Sequence, residues 1–282
     1  MAINYSEIAD DESRTKRIVK NSLDMVANLY GDSAHFVFEL LQNAEDALRR
    51  HPVDWCGSRD VAFRMDSNVI RIGHFGKPFN REDVESICSV AETTKDSTSI
   101  GRFGIGFKSV FTFTDCPEIH SGEEDFFIED YIKPIKAPEV KRKHDETVIL
   151  IPFKQPVEPK YDIIRQKLEG LGPTPLLFLR QIENICWSIE SGGSGRYHRK
   201  SKEVGSCIRR VTLIGEGDAK PDVNEEWLIL SRALDPEYGH VEIAFSIDKD
   251  EESGRERIQR VERSMFTVFF PTVVETHLGF RI

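Results

Sequence analysis

The sequence has 282 residues, a formal net charge of −10, 39% hydrophobic and 30% charged residues, and 18 Phe. A chain of this length buries roughly three quarters of its extended surface, so it builds a sizeable core, and a disordered or low-complexity protein is excluded. The negative charge gives no global attraction to phosphate backbones. Apolar runs such as Val148–Ile151 and Leu176–Leu179 fall far short of the ~20 residues that cross a bilayer. The opening Met1–Glu7 has neither a basic start nor an apolar stretch, so no secretory signal is read and a soluble, cytoplasmic chain with no membrane partner is expected. The five cysteines (Cys56, Cys88, Cys116, Cys186, Cys207) are widely spaced, with no Cys-x-x-Cys pair, and read as reduced, mostly packed thiols.

In chain order, Ile18, Val19, Leu23, Val26 and Leu29 give residues 12–29 the spacing of an amphipathic helix. Tyr30-Gly31-Asp32-Ser33 breaks it, and Asp32 or Ser33 is placed to cap a second helix running to about Arg50. Asp60–Met65 and Asn68–Ile72 alternate as a hairpin around an Asp-Ser turn. A helix is predicted from Asn80, with Asp83 three residues on and Val84, Ile87 and Val90 as its apolar face. A polar stretch, Glu92–Ser99, leads into a glycine-rich segment and the apolar Val110–Phe113. Strands are predicted at Phe126–Tyr131 and Thr147–Phe153, and helices at Tyr161–Leu171 and Thr174–Arg180, which together indicate an α+β layer architecture.

Beyond Ser191-Gly-Gly-Ser-Gly195 the pattern becomes that of an antiparallel meander: Cys207–Ile214, Glu226–Arg232, Val241–Ile247 and Phe266–Phe270. A domain boundary is read near residue 190, giving segments 1–190 and 191–282. The second is expected to be incomplete and the chain part of a longer parent protein. The basic strip Arg196-Tyr197-His198-Arg199-Lys200 reads as a solvated hairpin tip rather than a nucleic-acid contact.

Two elements carry chemistry. On the second helix, Glu39, Asn43 and Asp46 stand at i, i+4 and i+7 and share one face, opposite Leu40, Leu41, Ala44 and Leu48. That face is either simply the wet side of an amphipathic helix or the wall of a cleft. In a cleft, the Asn supplies an oxygen to Mg²⁺ and the Glu deprotonates a water. The second element is Gly101-Arg102-Phe103-Gly104-Ile105-Gly106-Phe107-Lys108, whose glycines let backbone approach a ligand before an apolar run that can start a helix. Such a junction suits a phosphate; by itself it is equally a tight turn. The spacing is neither a Walker loop nor a dinucleotide fingerprint.

Taken together, Glu39-Leu40-Leu41-Gln42-Asn43-Ala44-Glu45-Asp46-Ala47, Gly76-Lys77-Pro78-Phe79-Asn80 and Gly101–Phe111 resemble the GHKL ATPase superfamily, most closely its sacsin-type branch. The resemblance implies a Bergerat-type two-layer α/β sandwich, a mixed sheet covered by helices, followed by a β-rich, transducer-like region. It implies ATP and Mg²⁺ as ligands and slow ATP hydrolysis. Glu39 matches the general base, Asn43 the Mg²⁺ ligand and Asp46 a residue near the adenosine end. Gly101, Arg102, Phe103, Gly104, Ile105, Gly106, Phe107 and Lys108 match the phosphate lid, Lys95 a lid lysine, and Thr147 a threonine bonding toward adenine.

One departure stands out. The adenine-reading box reads His74-Phe75-Gly76-Lys77-Pro78, with His74 where the family has Asp. A neutral imidazole nitrogen can accept a hydrogen bond there in place of the carboxylate. Glu146 stands where many relatives have Gly. The function expected is a low-turnover ATPase domain driving conformational change in a larger machine, chaperone-like or DNA-handling, with a nucleotide-dependent homodimer and a protein client or DNA as partners. The alternative is a nucleotide-gated scaffold with negligible turnover.

Overall fold

The computed structural model describes residues 3–5, 34–89, 105–218, 221–234, 240–250, 253–268 and 270–282. The helix expected over 12–29, Lys95, and Gly101, Arg102, Phe103 and Gly104 lie outside the described residues. The chain divides into two compact units, Met1–Leu168 with Trp187–Gly192, and Glu169–Cys186 with Gly193–Ile282. The second therefore takes in a stretch ahead of the boundary read near residue 190. Among the described residues no helix is long and apolar enough to cross a membrane.

In the first unit, α1 (Phe36–Arg49) buries Phe36, Val37, Leu40, Leu41, Ala44, Ala47 and Leu48 along one stripe. The hairpin β1 (Asp60–Met65) and β2 (Val69–His74) turns on Asp66, whose Oδ1 accepts from the backbone N–H of Asn68 and Val69 at 2.7 and 2.9 Å. Short polar side chains close such turns at little cost. Next come α2 (Arg81–Cys88), the single turn α3 (Ile105–Lys108) with a 3₁₀ turn at Ser109–Thr112, and strands β3 (Glu118–Ser121), β4 (Glu124–Glu129), β5 (Lys133–Lys136) and β6 (Thr147–Pro152). Helix α4 (Val157–Gly170) and strand β7 (Asn184–Ile189) complete the list, although residues 169–170 and 184–186 are counted in the second unit. The strands run in the order β7-β1-β2-β6-β3-β4-β5.

Register decides which residues face α1. In the antiparallel β2–β6 ladder, Ile70 pairs with Ile151, Ile72 with Ile149 and His74 with Thr147, and Ile149 pairs with Ile119 of β3. Directly opposed residues point to the same face, so these side chains form one buried surface. Phe36 of α1 packs its ring on Phe113 at a centroid distance of 5.0 Å. Burying each such side chain stabilises by about 1.5–3 kcal/mol.

The second unit is a meander of long antiparallel strands, β8 (Ser194–Gly205), β9 (Ile208–Gly217), β10 (Val223–Ala233), β11 (His240–Lys249) and β12 (Glu256–Gln259), in that order. A separate hairpin pairs β13 (Met265–Val268) with β14 (Phe270–Glu275). Three expectations need correction. The basic strip is strand rather than hairpin tip. Within β8, Tyr197 and Arg199 point inward while Arg196 and Lys200 are exposed. The Arg199 guanidinium is buried and donates to the carbonyls of Ile182 (2.9 Å) and Arg180 (3.1 Å). Thr174–Arg180 is not a helix beyond a 3₁₀ turn at Thr174–Leu176, which Pro173 and Pro175 open. Of the five cysteines only Cys88 is buried; Cys56, Cys116 and Cys207 are exposed, since each falls outside a strand or helix interior.

Candidate functional site

Helix α1 lays out one polar edge. Glu39, Asn43, Asp46 and Arg50 follow one another at helical spacing and all line a cavity of about 360 Å³ in the first unit. The cavity is completed by Gln42, Ala47, Arg49, His74, Phe79, Asp83, Ser86, Ile87, Gly106, Phe107 and Ile149. The helix and the glycine segment, distant in sequence, thus meet at one site.

At one end sits Glu39. Its Oε1 lies 3.2 Å from His35 Nε2, one helical turn earlier. Its Oε2 occupies the space beside Gly106, where an added Cβ would come within 1.9 Å of it. At the other end the β2–α2 loop closes on α1. A Cβ on Gly76 would meet Ala47 Cβ at 2.4 Å, and Lys77 N–H donates to Ala47 O at 3.0 Å. Gly76 therefore serves close backbone approach; it is not itself among the residues lining the cavity. Glu39 and Ala47 lie about 12 Å apart along the helix axis.

Charge is arranged along the rim. Arg50 Nη1 bonds both Asp83 carboxylate oxygens at 2.8 Å, tying the end of α1 to the start of α2. Asp83 also closes a capping box with Asn80, each side chain accepting the other's backbone N–H at 2.9 Å. Arg49 Nη2 donates to Asp46 Oδ1 at 2.7 Å. Burial raises the Asp46 carboxyl above the usual range, with Arg49 pulling the other way.

Three expected ligand-binding residues are placed differently. Lys108 is not among the cavity-lining residues and does not face solvent. It is buried, and its Nζ donates to Ile87 O at 2.6 Å and to Tyr131 O, so it ties the end of the glycine segment to α2 and to the loop after β4. Burial brings its pKa down to about 8. Thr147, opposite His74 in the ladder, is fully buried with Oγ1 2.6 Å from Ser121 Oγ, and is not among the cavity-lining residues. His74 is buried and lines the cavity, but its acceptor nitrogen is spent: Nδ1 accepts the Gly76 N–H at 3.1 Å. Burial, aided by the nearby Arg50 charge, lowers its pKa to about 4 and keeps the ring neutral. Of the expected lid, Gly106 and Phe107 reach the cavity, and Ile105 opens α3. Glu146 folds over Gly73, where a Cβ would meet its Oε1 at 2.5 Å, and accepts from Lys143 N–H at 2.9 Å.

Sequence reasoning missed His35 and Arg50. Both were legible in principle, because each lies one turn from a residue of the Glu39–Asp46 face.

Residues 74–159 match the Sacsin domain family. Among curated proteins, the chain is 25% identical over 279 residues to Protein NO VEIN of Arabidopsis thaliana, covering 86% of this chain and 10% of that protein. It is 32% identical over 143 residues to human sacsin, 44% of this chain and 3% of sacsin. It is 28% identical over 179 residues to the chaperone protein HtpG of Sulfurovum sp., 49% of this chain and 29% of HtpG. The chain thus spans less than a third of each of these relatives. These matches fit a GHKL-type domain, and the described residues themselves form an α+β fold. Within the class the domain is sacsin-like.

Proposed function

We propose that the first unit binds ATP with Mg²⁺ and hydrolyses it slowly, as one domain of a larger chain. The observation that carries this reading is the single cavity joining Glu39, Asn43, Asp46, His74, Gly106 and Phe107. Its donor set suits the group. The Asn43 side-chain oxygen can serve Mg²⁺ in the same cavity as the Glu39 and Asp46 carboxylates. Asn43 would hold Mg²⁺, which neutralises phosphate charge when bound.

Glu39 is the general base. Its carboxylate takes a proton from water, and His35, at 3.2 Å from Oε1, fixes its direction. Gly106 supplies backbone without a side chain where Oε2 lies, and Phe107 shields the same end from water. Arg49 and Arg50 bring positive charge to the cavity rim. The relatives' greater length supports a longer parent protein, and nucleotide-driven conformational change and a nucleotide-dependent homodimer belong to the same reading.

A scaffold that binds nucleotide with negligible turnover is the second reading, favoured by the loss of an acceptor at His74. Calorimetry with Mg²⁺ and nucleotide on the wild type and on Asn43→Ala, together with turnover by Glu39→Ala, decides. Binding lost in Asn43→Ala and turnover lost in Glu39→Ala support the ATPase. Binding with no wild-type turnover leaves the scaffold, and no binding ends both.

A further inference from the structure

The base end of the cavity has an unusual hydrogen-bonding polarity. A backbone N–H can only donate, so the Gly76 N–H to His74 Nδ1 bond requires that nitrogen to be the unprotonated one. In a neutral imidazole the proton then sits on Nε2. His74 is 98% buried by its 2% exposure, and its remaining polar edge is this one N–H, on a residue that lines the cavity. Phe79, Ile87, Ile149 and Ala47 give the cavity apolar lining, beside the charged Asp46, Arg50 and Asp83. About 12 Å of α1 separates them from Glu39, room for a triphosphate to lie between a ring at His74 and the general base.

An N–H in such a place demands an acceptor. A ring carbonyl provides one, whereas an amine meets it donor to donor and leaves a buried group unsatisfied. We propose that His74 makes this site select purine nucleoside triphosphates carrying a carbonyl at the six position, as guanine and hypoxanthine do, over those carrying an amine there. The proposal rests on the reading of this cavity as a Mg-nucleoside triphosphate site and departs from that reading in the base alone, ranking ATP below GTP and ITP. The neutral ring follows from its surroundings. Arg50, held by Asp83, is the charged group that acts on it, and a second positive charge beside Arg50 is disfavoured.

The test compares Mg-ATP, Mg-GTP and Mg-ITP by calorimetry on the 282-residue chain and on His74→Asp, which replaces the donor with an acceptor. ITP reverses the hydrogen-bonding pattern of ATP at the six position and at N1, and lacks the two-amino group of GTP. The wild type is expected to bind ITP about tenfold more tightly than ATP, with GTP following ITP. His74→Asp is expected to restore preference for ATP. Wild-type affinity for ATP equal to or greater than that for ITP overturns the proposal and leaves the nucleotide site standing. An ITP preference that survives His74→Asp also overturns it, since His74 is then not the selector. Failure of all three nucleotides to bind removes the nucleotide site and the proposal with it. The wild-type ranking decides even where the variant does not fold.

Discussion

Glu39 Oε2 fills the space that a side chain on Gly106 would need: a Cβ there would stand 1.9 Å from it. The glycine is thus fixed by the Glu39 carboxylate and not by a turn, since its backbone lies in the short helix α3. Gly106→Ala should push the carboxylate aside while leaving Asn43 in place. Turnover is expected to fall by about a hundredfold, with nucleotide affinity changed less than about threefold. Turnover within a factor of two of wild type would show that this contact does not position the base.

His35 acts through Glu39. With Nε2 3.2 Å from Oε1, its removal frees one carboxylate oxygen to rotate. His35→Ala should lower kcat about tenfold without raising the nucleotide Kd. A larger effect on Kd than on kcat would assign His35 to binding instead.

Lys108 and Cys88 share one buried environment and oppose each other in alkali. Burial pulls the Lys108 ammonium down to about 8 and pushes the Cys88 thiol up to about 12. Between pH 8 and 9 the unfolded chain holds the lysine proton that the folded chain has begun to lose, so stability rises, by up to about 1 kcal/mol. Above pH 9 the unfolded cysteine ionises while the folded one does not, which cancels the gain. Urea midpoints measured from pH 7.5 to 10.5 should rise and then level. In Lys108→Met the rise should vanish.

His74 has the same sign as Lys108, but in acid rather than alkali. Its folded pKa of about 4 lies below the ordinary 6.5, so its contribution is complete above pH 6.5 and is lost as pH falls toward 4. The loss amounts to about 3 kcal/mol at 1.36 kcal/mol per pH unit. His74→Gln can still accept from Gly76 but does not titrate. Wild type and variant should differ in stability by an amount that changes between pH 6.5 and 4.5; a constant difference would contradict the burial of a neutral ring.

In the second unit, Glu242 gathers three donors. Arg209 Nη2 and Ser231 Oγ each bond it at 2.7 Å, and Arg180 joins them. Burial works against its ionised form, but Arg209 and Arg180 hold the carboxyl below its usual range. Glu242→Ala strands the buried Arg209, and a loss of about 3–5 kcal/mol is expected in urea unfolding. A loss below about 1 kcal/mol would mean that water reaches the guanidinium.

What could be read in advance was local. The capping box of Asn80 and Asp83, the Asp66 hairpin and the shared face of Glu39, Asn43 and Asp46 follow from spacings within a few residues. What could not be read was settled by distant backbone. Lys108 is claimed by carbonyls of Ile87 and Tyr131, Thr147 by Ser121, and Arg199 by the carbonyls of Ile182 and Arg180. Nothing in a side chain's identity announces which remote carbonyl it will meet. The donor character of His74 needed one further fact, the direction of a single N–H from Gly76.

Because α1 carries both ends of the cavity on one edge, it works as a ruler whose marks repeat every turn. Inserting one residue between Asn43 and Asp46 would add only about 1.5 Å but swing everything beyond it by about 100°. Asp46 and Arg50 would turn out of phase, and Ala47 would leave Gly76. An insertion of about two turns would restore the phase while lengthening the site by about 10 Å, so evolution or design can change the reach of this site only in whole steps.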